Sequence, residues 1–245
     1  MERNVFIYWT GKEPSLILLL RDIMRKHSNE GKNYNLIHIN DDNLTDFIEV
    51  PTYFEKLLPA HKADYIRVQV LHNRGGIWLD SDTLVMSDLS SLFKIIEKHN
   101  GFFILENNQI LWNGVFGTKS KTPLMVEWKK RMENTFAKKE EKILWAEVGC
   151  LMLDKMARET KLFNNYVVFK GLDTVYPVNW NHCVNEFVTK PYENYLSLRR
   201  TFQPFVVLVN SVYKKLSDKT QEEILNGDMP LSYFLKTSLE KTEKK

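Results

Sequence analysis

Residues 59 to 83 read PAHKADYIRVQVLHNRGGIWLDSDT, and this stretch constrains the fold more than any other. Pro59 suits the first turn of a helix, and Gly75 suits its end, so the spacing predicts one well-punctuated helix. A glycine pair then turns the chain into the apolar strand GIWLD, which ends on Asp80 and Asp82. In an extended segment, residues two apart point to the same side. Both carboxylates then face one site at the carboxyl end of a strand, where open α/β sheets bind their ligands. Two carboxylates held close repel, so the pair calls for a cation. Hard oxygen ligands suit Mg²⁺ or Mn²⁺, ions commonly shared with substrate phosphates. A DxD triplet alone is a weak signal, and a solvated strand end is the alternative.

The helix ahead of it narrows the choice. Asp64 and Arg67 are three apart and share a helical face. An ordinary surface ion pair is one reading. Ile66 and Val70 supply an apolar stripe, and Tyr65, Val68 and Leu71 add nonpolar area. A helix of that composition is largely buried, so an acid and an arginine on it need a partner or a ligand. Sixteen residues separate Asp64 from Asp80, enough for the helix to return to the head of the adjacent strand.

The rest of the chain alternates in the same way. NVFIYW (4–9) reads as a strand buried on both faces, and YNLIHI (34–39) as a second. A helix follows Pro14, over roughly 14 to 27, and PTYFEKLL reads as a short one. Asp88 caps or enters the helix LSSLFKIIE. Beyond residue 90, GFFIL, GVFGT, YVVF and PFVVLV read as strands, with helical patterns over 122–137, over 144–158, and near 219 and 231. Strands alternating with helices predict an α/β fold with a largely parallel central sheet flanked by helices. At 245 residues, one α/β domain with a more variable second half is expected.

Composition excludes several classes. Lys and Arg number 34 against 31 for Asp and Glu, a net charge of +3, with part of the excess in KTEKK and AKKEEK. That gives no case for nucleic acid. Cys150 and Cys183 are isolated, outside any metal-spaced pair. No secretory leader is recognisable, and LILLL at 16–20 is too short to span a bilayer. The expectation is a cytoplasmic protein without a transmembrane segment, with peripheral membrane contact left open. The amphipathic segment LSYFLKTSLEK is expected to pack on the domain rather than on a membrane.

Taken together, ADYIRVQVLHNRGGIWLDSD resembles the signature of glycosyltransferase family 32 and related capsular-polysaccharide-type sugar transferases. Its spacing is also similar to that of the large glucosylating toxins. The likeness is strongest over roughly residues 4–120. It implies a GT-A fold, a single Rossmann-like sheet over 1–245, with a donor-binding part at about 1–120 and an acceptor-side part at about 121–245. It implies a UDP- or GDP-linked sugar as donor and Mn²⁺ or Mg²⁺ as cofactor. Carried over, Asp82 is the direct metal ligand, and Asp80 contacts ribose or sugar and reaches the metal through water. Asp64 and Arg67 hold the donor sugar. In IYWTG, Trp9 is the candidate to stack on the base, with Tyr8 as fallback and a core aromatic as the alternative. WNGVFGTKSKTPLM places Asn113 near sugar or acceptor. LWAEVGCLML, with Glu147, Val148 and Gly149, corresponds loosely to an acceptor-side motif. TVYPVNW resembles a late segment, with His182 nearby. After VVLV, Asn210 and Ser211 are the candidate oxygen donors of a closing loop, and Lys214 or Lys215 faces phosphate, although the late His and Trp pair of many relatives is absent.

The chemistry that follows from the resemblance is transfer to a hydroxyl of a glycan, a lipid-linked sugar or a protein, with retention. No carboxylate stands out as a nucleophile, so front-face attack is the economical route. One rival is a metal-dependent phosphotransferase or nuclease, although no GxxxxGK[ST] loop or HExxH motif is present. The other is a noncatalytic nucleotide-sugar-binding protein, against which the complete Asp64, Arg67, Asp80 and Asp82 set speaks.

Overall fold

The computed structural model describes residues 2–106, 110–138, 143–170, 175–176, 185–189, 204–208 and 216–243. They fall into two compact units. The first comprises Met1–Gly11, Ile37–Asp80 and Ser90–Lys170, and the second Lys12–Leu36, Ser81–Leu89 and Gly171–Lys245.

A six-stranded sheet organises the first unit. Its strands are β1 (Asn4–Tyr8), β2 (Asn35–Ile39), β3 (Gly76–Leu79), β5 (Gly101–Glu106), β6 (Ile110–Thr118) and β7 (Tyr166–Lys170). They lie in the order β2-β1-β3-β6-β5-β7. β1 runs parallel to β3, with Val5 opposite Ile77, and β5 runs parallel to β7. β6 is antiparallel to both β3 and β5. β1, β3, β5 and β7 therefore share one direction and β6 opposes them, so the predicted α/β fold with a largely parallel sheet is what forms. Val5, Phe6, Ile77, Trp78, Phe102 and Phe103 are all buried. Adjacent positions point to opposite faces, so the sheet is covered on both sides, as its continuous apolar strands require.

One face carries α2 (Pro59–Arg74), α4 (Pro123–Lys138) and α5 (Cys150–Glu159). Their apolar residues join Phe6, Trp78, Phe103 and Phe116 in one core. Phe103 stacks on Phe116 at 5.0 Å, and Phe116 meets Trp128 of α4 at 5.6 Å. A fourth helix, α3 (Ser90–Lys98), packs on β3, β5 and β6. The helix expected over 144–158 starts only at Cys150, and residues 145–149 form turns. The Glu147 carboxylate accepts from the Leu144 N–H and holds that turn instead.

The second unit is built on α1 (Ser15–Ser28), which packs on the strand β4 (Thr83–Val85) and on α7 (Pro230–Glu243). β4 pairs antiparallel with β9 (Phe205–Val207), which runs parallel to β8 (Val175–Tyr176). Sequence patterning missed β4, which has only three residues. Ser238 of α7 donates to the Val85 carbonyl at 2.5 Å and accepts from His27 Nε2 at 2.9 Å. Thr220 and Glu223 form a capping box on the short helix α6 (Gln221–Leu225). In α7 the apolar residues Leu231, Phe234 and Leu235 are buried. No helix of the described residues is long and apolar enough to cross a membrane.

The α2–β3 junction fixes the geometry of everything that follows. Pro59 opens α2, and the Gly75 N–H closes it on the Leu71 carbonyl at 2.9 Å. Gly75 and Gly76 hold φ values of 67° and 114°, which side chains with a Cβ adopt poorly. A Cβ on Gly76 would also stand 2.6 Å from the Asn4 carbonyl oxygen in β1. Gly76→Ala is expected to destabilise the protein by about 2–4 kcal/mol, read as a lower urea midpoint.

Candidate active site

The acid and arginine read from the sequence meet the strand end that the glycine pair aims. Asp64 and Arg67 lie on α2 and are 6% and 5% exposed. Their separation is one helical turn, and Arg67 Nε stands 3.6 Å from Asp64 Oδ1. The guanidinium reaches further: Nη2 lies 3.0 Å from Asp80 Oδ1, and Nη1 donates to the Asn113 carbonyl at 2.6 Å. Asn113, on β6, donates through Nδ2 to Asp64 Oδ1 at 2.7 Å. Helix α2, the end of β3 and the middle of β6 are thereby joined through one side chain.

Asp80 is held from several sides. Its N–H donates to the Gly114 carbonyl at 2.8 Å. Oδ1 also accepts from Trp78 Nε1 at 2.9 Å. The Arg67 guanidinium lies over the Trp78 ring, 5.3 Å from its centroid, a cation–π contact. Asp80 Oδ2 rests against the Cα of Gly114, where a Cβ would sit 2.6 Å away. The Asp80 side chain keeps 33% of its surface exposed, so it is oriented yet open to solvent.

A second wall comes from the turn before α5. Gly149 packs on the Asn113 amide, and a Cβ there would also lie 3.1 and 3.2 Å from the two Asp64 carboxylate oxygens. Cys150 Sγ donates to Asn113 Oδ1 at 3.2 Å. Burial and the nearby Asp64 charge push its thiol up to about 11, so it stays protonated and works as a donor. Sequence reasoning missed Trp78, Gly114 and Cys150 as parts of this centre. Only Trp78 carried a readable signal, two residues before Asp80 in the strand.

Burial pushes the Asp64 carboxyl up to about 6, against the lowering effect of Arg67 and with a smaller upward push from Asp80. With Asp64, Arg67 and Asp80 all ionised, the cluster carries one negative charge in excess. Such a site suits a cation.

The remaining candidates are placed as follows. β3 ends at Leu79, and Ser81 and Asp82 form a turn, so the two-residue alternation of an extended strand does not run through Asp82. Asp82 is half-buried, and its carbonyl accepts from the Leu208 N–H at 2.9 Å. Tyr8 is buried, and its hydroxyl donates to Asp41 Oδ1 at 3.1 Å. Burial pushes its phenol up to about 12. Trp9 is half-buried just past β1, with its N–H on the Ile39 carbonyl at 3.1 Å. His182, Asn210, Ser211, Lys214 and Lys215 lie outside the described residues. Among the described residues no cluster of three or more His, Cys, Asp or Glu side chains is placed to hold a metal ion.

A family model described as capsular polysaccharide synthesis protein matches residues 1–226. The chain belongs to that family. No curated protein matches it. Among solved structures, a glycosyltransferase involved in the glycosylation of the major capsid of PBCV-1 is similar, with a TM-score of 0.51 and 11% identity. That match covers 88% of this chain and 98% of the other. The apo-form glycosyltransferase GlyE of Streptococcus pneumoniae TIGR4 is similar with a TM-score of 0.52 and 12% identity, covering 99% of this chain and 64% of GlyE. At these identities the likeness is one of fold, and the fold is the GT-A-like one that the sequence resemblance implied.

The buried acid yields a test. Its folded value lies above the unfolded one near 3.8, so the native state holds the proton more tightly. Asp64 therefore costs stability progressively as pH rises from about 4 to about 6, by about 3 kcal/mol in all. Asp64→Asn keeps an acceptor for Asn113 and removes that cost. It is expected to raise stability at pH 7 by about 1–3 kcal/mol and to flatten the dependence between pH 4 and 6, measured by urea unfolding. Lower stability at pH 7 would mean that attraction to Arg67 outweighs burial.

Proposed function

We propose that this chain is a glycosyltransferase that moves a sugar from a UDP- or GDP-linked donor to a hydroxyl, the acceptor being a glycan. The observation that carries the reading is the Arg67 clasp. One buried guanidinium holds Asp64 on α2, Asp80 at the end of β3 and the Asn113 carbonyl on β6 in a fixed arrangement. Membership of the capsular polysaccharide synthesis protein family supports sugar transfer and a glycan acceptor.

In this reading Asp64 and Arg67 grip the donor sugar, one accepting from its hydroxyls and the other donating. Asp80 is the partly open carboxylate, and its second oxygen is available to ribose or sugar. Asn113 spends Nδ2 on Asp64 and Oδ1 on Cys150. Its role is to orient Asp64 rather than to bind the acceptor. Trp9 and Tyr8 stand at the carboxyl end of β1, where a base stacks on Trp9.

Divalent-metal binding fits the donor set: hard oxygens, excess negative charge and one partly open carboxylate, since an ion shared with a diphosphate needs only one or two protein carboxylates. Asp82 with Asp80 would hold it, with Asn210 or Ser211 completing the shell. When bound, Mn²⁺ or Mg²⁺ neutralises the charge that develops on the diphosphate leaving group. The protein positions the acceptor hydroxyl on the face from which the diphosphate departs. Retention rests on the family resemblance, and front-face attack, which needs no separate carboxylate nucleophile, is the economical route to it.

Nucleotide release from a panel of UDP- and GDP-sugars tests the reading. Wild-type protein with Mn²⁺ is expected to release one nucleotide, EDTA to stop it, and Asp82→Asn to slow it about 100-fold or more. If no donor binds, with or without metal, the glycosyltransferase reading is wrong.

A further inference from the structure

The turn that closes on the buried acid carries an unusual side chain. Trp145 is 75% exposed, and Leu144 and Leu151 of the same segment are 64% and 46% exposed. A large aromatic left in water costs free energy unless something covers it. Nothing about this one is frayed, because the segment that carries it is tied down along its length. The Leu144 carbonyl lies 3.2 Å from His61 Nε2, and the Leu144 N–H donates to Glu147 Oε2 at 3.0 Å. The Glu147 N–H returns to the Leu144 carbonyl, and the Leu151 N–H to the Ala146 carbonyl, both at 3.1 Å. The Val148 carbonyl accepts from the buried Trp128 Nε1 at 2.9 Å. Gly149 then closes on Asn113 and Asp64.

These anchors fix where Trp145 stands. The turn runs alongside α2, with Leu144 at His61 and Gly149 at Asp64. His61 and Asp64 are three residues apart on one helix, about 4.5 Å of rise. Trp145 follows directly on the His61 contact. The backbone that carries Trp145 therefore lies along the start of α2, between its contact with His61 and its contact with Asp64.

We infer that Trp145 is an acceptor platform: an exposed indole on which a pyranose ring of the acceptor stacks through its axial C–H face, next to the donor-sugar grip of Asp64 and Arg67. This inference rests on the glycosyltransferase reading and deepens it by naming a residue that determines acceptor specificity. The physical basis is the shape of the two partners. A pyranose presents an apolar C–H face and a polar rim, and a flat indole covers the first while leaving the second to water and to neighbouring polar groups. Because the turn is already ordered, little conformational entropy is lost when the sugar lands. The small apolar border of Leu144 and Leu151 widens the platform without enclosing it. That suits a ring within a longer glycan rather than a whole buried ligand.

Three proteins test this: wild type, Trp145→Ala and Trp145→Phe. The probes are methyl β-D-glucopyranoside, methyl β-D-galactopyranoside and lactose, followed by saturation-transfer NMR with donor nucleotide and Mn²⁺ present. Donor hydrolysis without sugar is measured in parallel. At least one probe is expected to receive saturation at its axial C–H protons from wild type and from Trp145→Phe, and to lose it with Trp145→Ala. Its apparent affinity should fall about tenfold. Donor hydrolysis should stay within about twofold across all three, since the platform serves the acceptor and the assay contains none. Equal saturation from wild type and Trp145→Ala overturns the inference, as does hydrolysis-competent wild type that saturates none of the probes. Wild type that binds and hydrolyses no donor is a failure of the glycosyltransferase reading itself. A fourth measurement uses vesicles of phosphatidylglycerol and phosphatidylethanolamine. Sedimentation with them that Trp145→Ala abolishes, without any effect of the variant on sugar contact, overturns the platform in favour of a membrane surface.

Discussion

Arg67 is the side chain on which the centre depends. It is almost fully buried, and water does not reach it freely. A buried cation is tolerable only if it is paired and hydrogen-bonded, and Arg67 satisfies that demand with groups from three elements. The Asp64 carboxylate, the Asp80 carboxylate and the Asn113 carbonyl are therefore not free to drift. Nor is the geometry a stability device. A buried ion network of this kind often costs more in desolvation than it returns, and the upward shift at Asp64 is that cost made visible. Such strain is retained where a site must be ready before its ligand arrives.

The backbone around the cluster is shaped to allow the close approach. Gly76 lets β3 start against β1, Gly114 leaves room beneath Asp80, and Gly149 lets the turn before α5 lie on Asp64 and Asn113. Trp78 performs two tasks from within the sheet, donating to Asp80 and underlying the guanidinium. Sheet packing and site geometry are thus the same set of contacts, so changes to the core near β3 and β6 should be felt at the carboxylates.

Much of this was legible in advance, for local reasons. Pro59 and Gly75 bracket α2 because each has a backbone preference that needs no tertiary context, and the apolar run of β3 follows directly. Asp64 and Arg67 could be paired by helical spacing, and Asp80 by its place at a strand end. Other features depend on contacts distant in sequence. Nothing near Asn113 reveals that it bridges Asp64 and Cys150. The helix expected from residue 144 loses its first turn because Gly149 must lie on Asp64, a demand that comes from α2 and β6. The turn at Ser81–Asp82 was read as extended because alternation alone carries no information on where a strand stops.

The most direct test of the account is a crystal structure with Mn²⁺ and a 2-fluoro nucleotide-sugar that binds without turning over. The account predicts a donor sugar within hydrogen-bonding distance of Asp64 and Arg67, a metal on Asp82, and the Arg67 clasp unchanged. A donor bound elsewhere, or a clasp that opens to admit the sugar, would contradict it.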